Sequence, residues 1–256
     1  MTKPRVLLKV GGAELAPGPE LDTLIGVILK LAKERQLVIV HGGGPEIAAW
    51  QARLGITVQT IDGLRVTDAA SLQIAEMVLS GAVNKRLSAR LNTAGLRAVG
   101  LSGVDGGLLH AVKIEHPKGD LGLVGEVVEV NCVLLESLLS DGYVLVISPI
   151  SGSASGQTLN VNADSAALAI GRALQPDEAI FLTNVAGVMA DGALLPELDE
   201  RTAHQLTADG VITGGMIPKV QAALEGLAAG IRRVKITNLA GLAAASGTWI
   251  ISNKGA

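Results

Sequence analysis

The chain has 256 residues, 48% of them apolar and 18% charged, which describes a folded globular protein and excludes a disordered one. Its 21 Lys and Arg against 24 Asp and Glu give a formal charge of −3, and its only aromatics are two Trp, one Tyr and one Phe. That balance argues against a nucleic-acid or anionic-membrane partner, and the single cysteine, Cys132, excludes an intrachain disulfide and a multi-cysteine metal site.

Short β-rich runs alternate with helical patterns. Arg5–Val10 (RVLLKV) predicts a strand, Glu20–Arg35 carries apolar residues at helical spacing, and Leu37–His41 (LVIVH) predicts a second, buried strand. A helix opens at Pro45, whose missing N–H costs nothing in a first turn, and runs to about Leu54. Thr67 and Asp68 can cap a helix over Ala69–Ser80, and a separate helix is expected over Val83–Ala94. Leu96–Leu101 predicts a strand, Leu109–Val130 hairpins with glycine turns, Cys132–Ser140 a helix and Tyr143–Ser148 a strand. Beyond a Ser/Gly-rich turn come a helix over Asn162–Leu174, a strand over Glu178–Thr183 and short strands near Val188 and Leu195. Helices over Glu200–Ala208 and Met216–Ala229 and strands at Arg233–Thr237 and Gly247–Ile251 complete the pattern.

Strands separated by helices imply βαβ units, hence an α/β three-layer αβα sandwich around a mostly parallel sheet. Pro176 and neighbouring charge interrupt two regular segments and suggest a soft boundary between lobes 1–175 and 176–256. The mean hydropathy is positive, yet the two long uncharged stretches, Gly142–Ala163 and Ile236–Asn253, are broken by Pro149, Asn238 and Ser/Gly pairs. Neither reads as a membrane span, and the N-terminus reads as a strand, not a signal peptide. A soluble, cytoplasmic protein is expected.

Two glycine loops fall where parallel strands end. Lys9-Val10-Gly11-Gly12 closes the first strand, and His41-Gly42-Gly43-Gly44-Pro45 joins the second to its helix. Ligands bind at that carboxyl edge in open α/β sheets. Glycine lets backbone N–H groups approach an anion, and a helix N-terminus adds positive partial charge. Each loop alone reads equally as a tight turn; both together, with a lysine, suggest a phosphate cradle. Neither is a Walker A or GxGxxG motif. Farther on stand Gly63-Leu64-Arg65-Val66-Thr67-Asp68, Asn160-Val161-Asn162-Ala163-Asp164 and Gly214-Gly215-Met216-Ile217-Pro218-Lys219. Singly these are an Arg in a turn, an Asx helix cap and a Gly-Gly helix start. The four histidines lie in different segments without ligand spacing, so no metal site is expected from them.

In order and spacing, these segments resemble the amino acid kinase family over essentially the full chain. GLRVTD with NVNAD resembles its acetylglutamate branch in particular. The resemblance implies the amino acid kinase fold and transfer of the ATP γ-phosphoryl to the side-chain carboxylate of N-acetyl-L-glutamate, the second step of arginine biosynthesis. It makes Lys9 and Lys219 catalytic lysines and Asp164 the carboxylate that orients them. Gly11, Gly12, Gly43 and Gly44 become backbone donors, Arg65 and Asn160 substrate contacts, and Asn162 a structural residue. Thr183, Asn184, Gly187, Thr213 and Gly214 fall to the nucleotide, with Mg²⁺ carried on the ATP phosphates. The N-terminal lobe would bind acetylglutamate and dimerise, and the C-terminal lobe would bind ATP.

The chain departs from the family pattern at Asn184, where Asp is usual, and at Val104, where Lys is usual. The first exchange leaves the ribose or magnesium contact there open. Arginine-inhibited members carry an N-terminal helix that builds hexamers; here eight residues precede Lys9, so a homodimer that arginine does not inhibit strongly is expected, formed through a helix near Ala69–Ser80. The nearest alternative is a kinase of carrier-linked aminoadipate or glutamate, which shares Asn84–Leu87 (NKRL) but departs at GLRVTD. A non-catalytic sensor is a further alternative, against which stand the intact Lys9, Lys219 and Asp164.

Overall fold

Apolar runs with no polar alternation, such as VLVIS and EAIFL, must be covered on both faces, and both are buried along their whole length. The computed structural model describes residues 3–62, 64–190 and 192–252. In chain order, β1 (Arg5–Val10), α1 (Pro19–Glu34), β2 (Gln36–His41) and α2 (Gly44–Arg53) lead to a small hairpin, β3–β4 (Thr60–Ile61 and Leu64–Arg65). Next come α3 (Ala69–Glu76), α4 (Asn84–Thr93), β5 (Ala98–Ser102), β6 (Leu109–Lys113), β7 (Val124–Val130) and α5 (Cys132–Ser140). Then follow β8 (Val144–Ser148), β9 (Ile150–Gly152), β10 (Thr158–Val161), α6 (Ala163–Leu174), β11 (Glu178–Leu182) and the hairpin β12–β13 (Met189–Ala190 and Ala193–Leu194). The last are β14 (Glu197–Asp199), α7 (Glu200–Ala208), α8 (Met216–Ala228), β15 (Arg233–Thr237), α9 (Leu239–Ala243) and β16 (Thr248–Ile251).

Eight strands form one sheet in the order β14-β16-β15-β11-β1-β2-β8-β5. Every neighbouring pair is parallel except β15 and β16. The first strand therefore lies at the centre, with β2 on one side and β11 on the other. Its side chains alternate between two cores: Leu7 joins Ala166, Ile170 and Leu224 on one face, while Val6 and Leu8 join Leu24, Ile28 and Leu91 on the other. The result is the three-layer α/β sandwich that the alternating pattern predicts. β6, β7, β9 and β10 close into a small separate barrel against α6. Among the described residues no helix is long and apolar enough to cross a membrane.

Helix starts follow local chemistry. Asp68 caps α3 by accepting from the Ser71 N–H at 2.7 Å, Asn162 caps α6, and Asp199 caps α7. Three expectations need correction. The helices predicted over Ala69–Ser80 and Val83–Ala94 are one continuous rod, because Met77–Val83 forms a π-helical stretch that joins α3 to α4. No proline or capping side chain interrupts the chain there, so the extra residue is absorbed as a widened turn. The Ser/Gly-rich turn carries strands on both flanks, β9 and β10, which pair with each other across it. β14 and α9 had no sequence signal, being too short to show a period.

Leu8 is fully buried on the central strand, whereas Val133 on α5 is 79% exposed. Leu8→Ala should cost about 2–5 kcal/mol, read as a lower urea midpoint. Val133→Ala should change stability by less than about 0.5 kcal/mol.

Candidate active site

The register of β1 and β2 sets Val10 opposite His41, so the two glycine loops leave the sheet side by side. The Gly42 N–H donates to the Val10 carbonyl at 2.9 Å and stitches them together. A Cβ on Gly12 would lie 2.7 Å from Pro45 Cδ and 2.9 Å from Gly43 Cα, so contact this close requires glycine. A Cβ on Gly43 would meet Leu79 Cδ2 at 2.7 Å. α2 starts at Gly44 with Pro45 in its first turn, which puts its free N–H groups at the loop. Arg86 holds this region from behind. It pairs with Glu46 of α2 at 2.6 Å and donates from Nε to the Leu15 carbonyl.

Asn162 accepts from the Asp164 and Ser165 N–H groups, which starts α6 and turns Asp164 outward in its first turn. There Asp164 Oδ1 meets Lys9 Nζ at 3.0 Å. The Lys9 side chain is 14% exposed and that of Asp164 48%, so the ammonium sits inside the wall and its partner on the rim.

Two clefts meet at this pair. The smaller, about 440 Å³, is lined by Gly43, Gly44, Arg65 and Asn160, among others. The larger, about 620 Å³, is lined by Thr183, Asn184, Lys219 and the apolar Phe181, Pro218 and Ile236. Lys9, Gly11, Gly12 and Asp164 line both. Arg65 is exposed and ends the small hairpin, while Gly63 of that motif lies outside the described residues. Asn160 donates to Thr67 Oγ1 at 3.2 Å, tying the segment after Arg65 to the barrel. Gly187 and Thr213 line a third hollow of about 340 Å³. Gly214 adopts φ 53° just ahead of α8, a left-handed turn suited to glycine.

Lys219 lines the larger cleft, and its Nζ donates to the Gly215 carbonyl of its own helical turn at 2.9 Å. Asp164 is thus engaged with Lys9, while the second lysine is held by its own helix. Sequence reasoning missed two polar residues. Glu14, on the short turn after Gly12, lines the larger cleft and keeps its Oε2 buried without a hydrogen-bond partner. Asn84 is buried beneath the second loop. Single carboxylates and amides have no periodic signature, so only the NKRL resemblance could have pointed to Asn84. Among the described residues no group of three His, Cys, Asp or Glu is gathered as for a metal.

A parallel sheet with two abutting glycine loops and a lysine–carboxylate pair at its carboxyl edge defines an α/β protein built to hold anionic ligands in adjoining clefts. The chain belongs to the amino acid kinase family, whose profile matches residues 4–238. It is 47% identical over 240 residues to an acetylglutamate kinase of Roseiflexus castenholzii, covering 94% of this chain and 92% of that one. It is 43% identical over 252 residues to an acetylglutamate kinase of Methanopyrus kandleri, covering 95% and 99%. The crystal structure of smu.665 from Streptococcus mutans superposes with a TM-score of 0.80 at 31% identity, covering 96% of this chain and 98% of that one.

His41 is buried with its Nδ1 3.0 Å from the Gly42 carbonyl and its Nε2 3.1 Å from Asn84 Nδ2. Burial, with the nearby Arg86 and Lys85, pushes its pKa from 6.5 down to about 4, against the opposing backbone hydrogen bond. The unfolded chain therefore binds the extra proton first, and stability present above pH 6.5 is lost as the pH falls towards 4. Urea titrations over that window should reveal a loss of about 3 kcal/mol. His41→Phe should remove that share of the pH dependence.

Proposed function

We propose that the protein transfers the γ-phosphoryl group of ATP to the side-chain carboxylate of N-acetyl-L-glutamate, yielding an acyl phosphate and ADP in the second step of arginine biosynthesis. The observation that carries this reading is the Lys9–Asp164 pair standing in the wall common to two clefts. One cleft offers Arg65 and Asn160 for a small acidic substrate; the other offers Lys219, Thr183 and Asn184 for a nucleotide. Likeness to acetylglutamate kinases along nearly the full chain supports the same substrate.

A carboxylate is ionised at neutral pH, so the nucleophile needs no general base. The acceptor oxygen forms the new P–O bond while the bond from the γ-phosphorus to the bridging oxygen breaks, leaving its electron pair on ADP. Catalysis then rests on alignment and on neutralising the phosphoryl oxygens. In this reading Lys9 neutralises the transferring group, and Asp164 keeps the Lys9 ammonium aimed at it. Lys219 leaves the Gly215 carbonyl to meet the leaving-group oxygen. Gly11, Gly12, Gly43 and Gly44 donate backbone N–H groups, and Arg65 grips the α-carboxylate in two-pronged fashion with Asn160 beside it.

Thr183, Asn184, Gly187, Thr213 and Gly214 contact the nucleotide. Residues 1–175 act as the acetylglutamate lobe and 176–256 as the ATP lobe, joined through the β1–β11 pairing. Mg²⁺ bound to the ATP phosphates would supply further neutralisation, and the unpartnered Glu14 Oε2 fits a cation there. We also propose a cytoplasmic homodimer. The apolar hollow rimmed by the exposed Trp50, Leu54, Met77 and Ala82, with the buried Ile74 and Val78 beneath, supports it, since a hollow with so little polar lining favours an apolar partner.

Acyl phosphate trapped as hydroxamate, with N-acetylglutamate, glutamate, N-acetyl-aminoadipate and carbamate offered in parallel, tests the assignment. A strong signal confined to N-acetylglutamate is expected; none on that substrate would overturn it. Lys9→Ala and Lys219→Ala should each lower kcat by about 10²–10³-fold. Arg65→Ala should raise KM for acetylglutamate by about tenfold or more with a smaller change in kcat. Light scattering should give the mass of a dimer, and a hexamer or monomer would refute that part.

A further inference from the structure

NKRL is the one motif left without a part in the proposed reaction, and the structure sets its first residue directly beneath the second glycine loop. Asn84 follows the π-helical stretch, fully buried. Its Nδ2 lies 2.9 Å from the Val146 carbonyl, 3.1 Å from the Leu101 carbonyl and 3.1 Å from His41 Nε2, so its two N–H groups are shared among three neighbours, while its Oδ1 accepts from Lys85 Nζ at 3.2 Å. Two of those neighbours are backbone carbonyls and the fourth is an ammonium, so the amide has one orientation only. Its NH₂ faces the ring.

That orientation selects the tautomer of His41. A proton on Nε2 would point into the amide NH₂, so Nε2 must carry the lone pair and Nδ1 the proton. Nδ1–H then donates to the Gly42 carbonyl at 3.0 Å. Every described peptide bond is trans, and in a planar trans peptide the carbonyl of one residue and the N–H of the next point in opposite directions. Holding the Gly42 carbonyl against the buried imidazole therefore aims the Gly43 N–H the other way. Among the described residues that N–H has no acceptor, and Gly43 lines the smaller cleft. Leu79 and Val83 pack on Gly43 from the π-helical stretch and limit its room to turn.

We infer that Asn84 and His41 are positioning residues for phosphoryl transfer: the amide sets the imidazole tautomer, and the imidazole locks the Gly42–Gly43 peptide with its N–H available to the reacting oxygens. The same peptide turned over by half a rotation would present a carbonyl to an anion, which is why a lock is needed. This rests on the proposed phosphoryl transfer. It differs from a packing role because it depends on which nitrogen of His41 bears the proton.

Two variants and one spectroscopic measurement test it. In the wild-type protein, ¹⁵N NMR of the His41 ring, assigned by its loss in His41→Phe, should show Nδ1 protonated and Nε2 bare from pH 6 to 9. Asn84→Asp replaces the donor with an acceptor. The neutral ring then keeps its proton on Nε2, which donates to the Asp carboxylate, and turns the Nδ1 lone pair on the Gly42 carbonyl. Activity should be about tenfold or more below wild type at alkaline pH and recover as the pH falls, because the imidazolium donates from both nitrogens. The other charged groups near the ring are Arg86 and Lys85.

His41→Phe keeps a buried ring but no donor. It should lower kcat about 10–100-fold at every pH while KM for ATP shifts less than about threefold. A wild-type ring protonated on Nε2, a pH-independent loss in Asn84→Asp, or a folded His41→Phe with kcat within about twofold of wild type would each overturn the inference. If Asn84→Asp does not fold, the ring tautomer and His41→Phe decide. If the wild-type protein phosphorylates no substrate, the function assignment falls, and the tautomer still reports on the lock.

Discussion

The parallel pairing of β1 with β2 is the constraint on which the rest of the site depends. It places two strand ends in register and so obliges Gly11-Gly12 and Gly42-Gly43-Gly44 to turn within van der Waals reach of each other. Side chains at Gly12 or Gly43 would clash with the facing atoms and wedge the loops apart. Everything behind the loops holds this arrangement. Arg86 clamps the helix after one loop and the turn after the other, and the π-helical stretch lays Leu79 and Val83 against Gly43.

Charge at the site is arranged by depth. Lys9 is mostly withdrawn from water, with its ammonium kept in place by a carboxylate on the cleft rim. A buried cation without a partner would be costly, and a fully neutralised one would have little attraction left for an anionic ligand. A half-exposed Asp164 is a compromise between the two. His41 lies close by yet stays uncharged because burial outweighs its backbone hydrogen bond. It can therefore act as a fixed dipole with a defined donor and acceptor end.

Much of this could be read from the chain. The strands at Arg5–Val10, Leu37–His41 and Glu178–Thr183 are short runs dominated by apolar residues with Pro4, Gly11, Gly42 or Pro176 at or near an end, a signal that survives without tertiary information. The motifs around Lys9, His41, Arg65, Asp164 and Lys219 carried the resemblance to the family that the comparisons establish. Other features were invisible. The π-helical stretch has no composition of its own and looks like two helices parted by Gly81. β9 and β10 are three and four residues long, and only their pairing across the turn makes them strands.

The amino-acid sequence by itself determined the alternation of strands and helices, the two glycine loops, and the residue types available for phosphoryl chemistry. It did so because periodicity, caps and glycine turns are local and leave their mark on neighbouring residues. Only the tertiary structure decided that Asp164 meets Lys9 while Lys219 turns to its own helix, that Glu14 enters the larger cleft, and that Asn84 reaches His41 across 43 positions of chain. The Lys9–Asp164 and Asn84–His41 contacts join residues far apart in sequence, where nothing local constrains the pairing. Packing the sheet, the rod and the loops into one volume is what selects them.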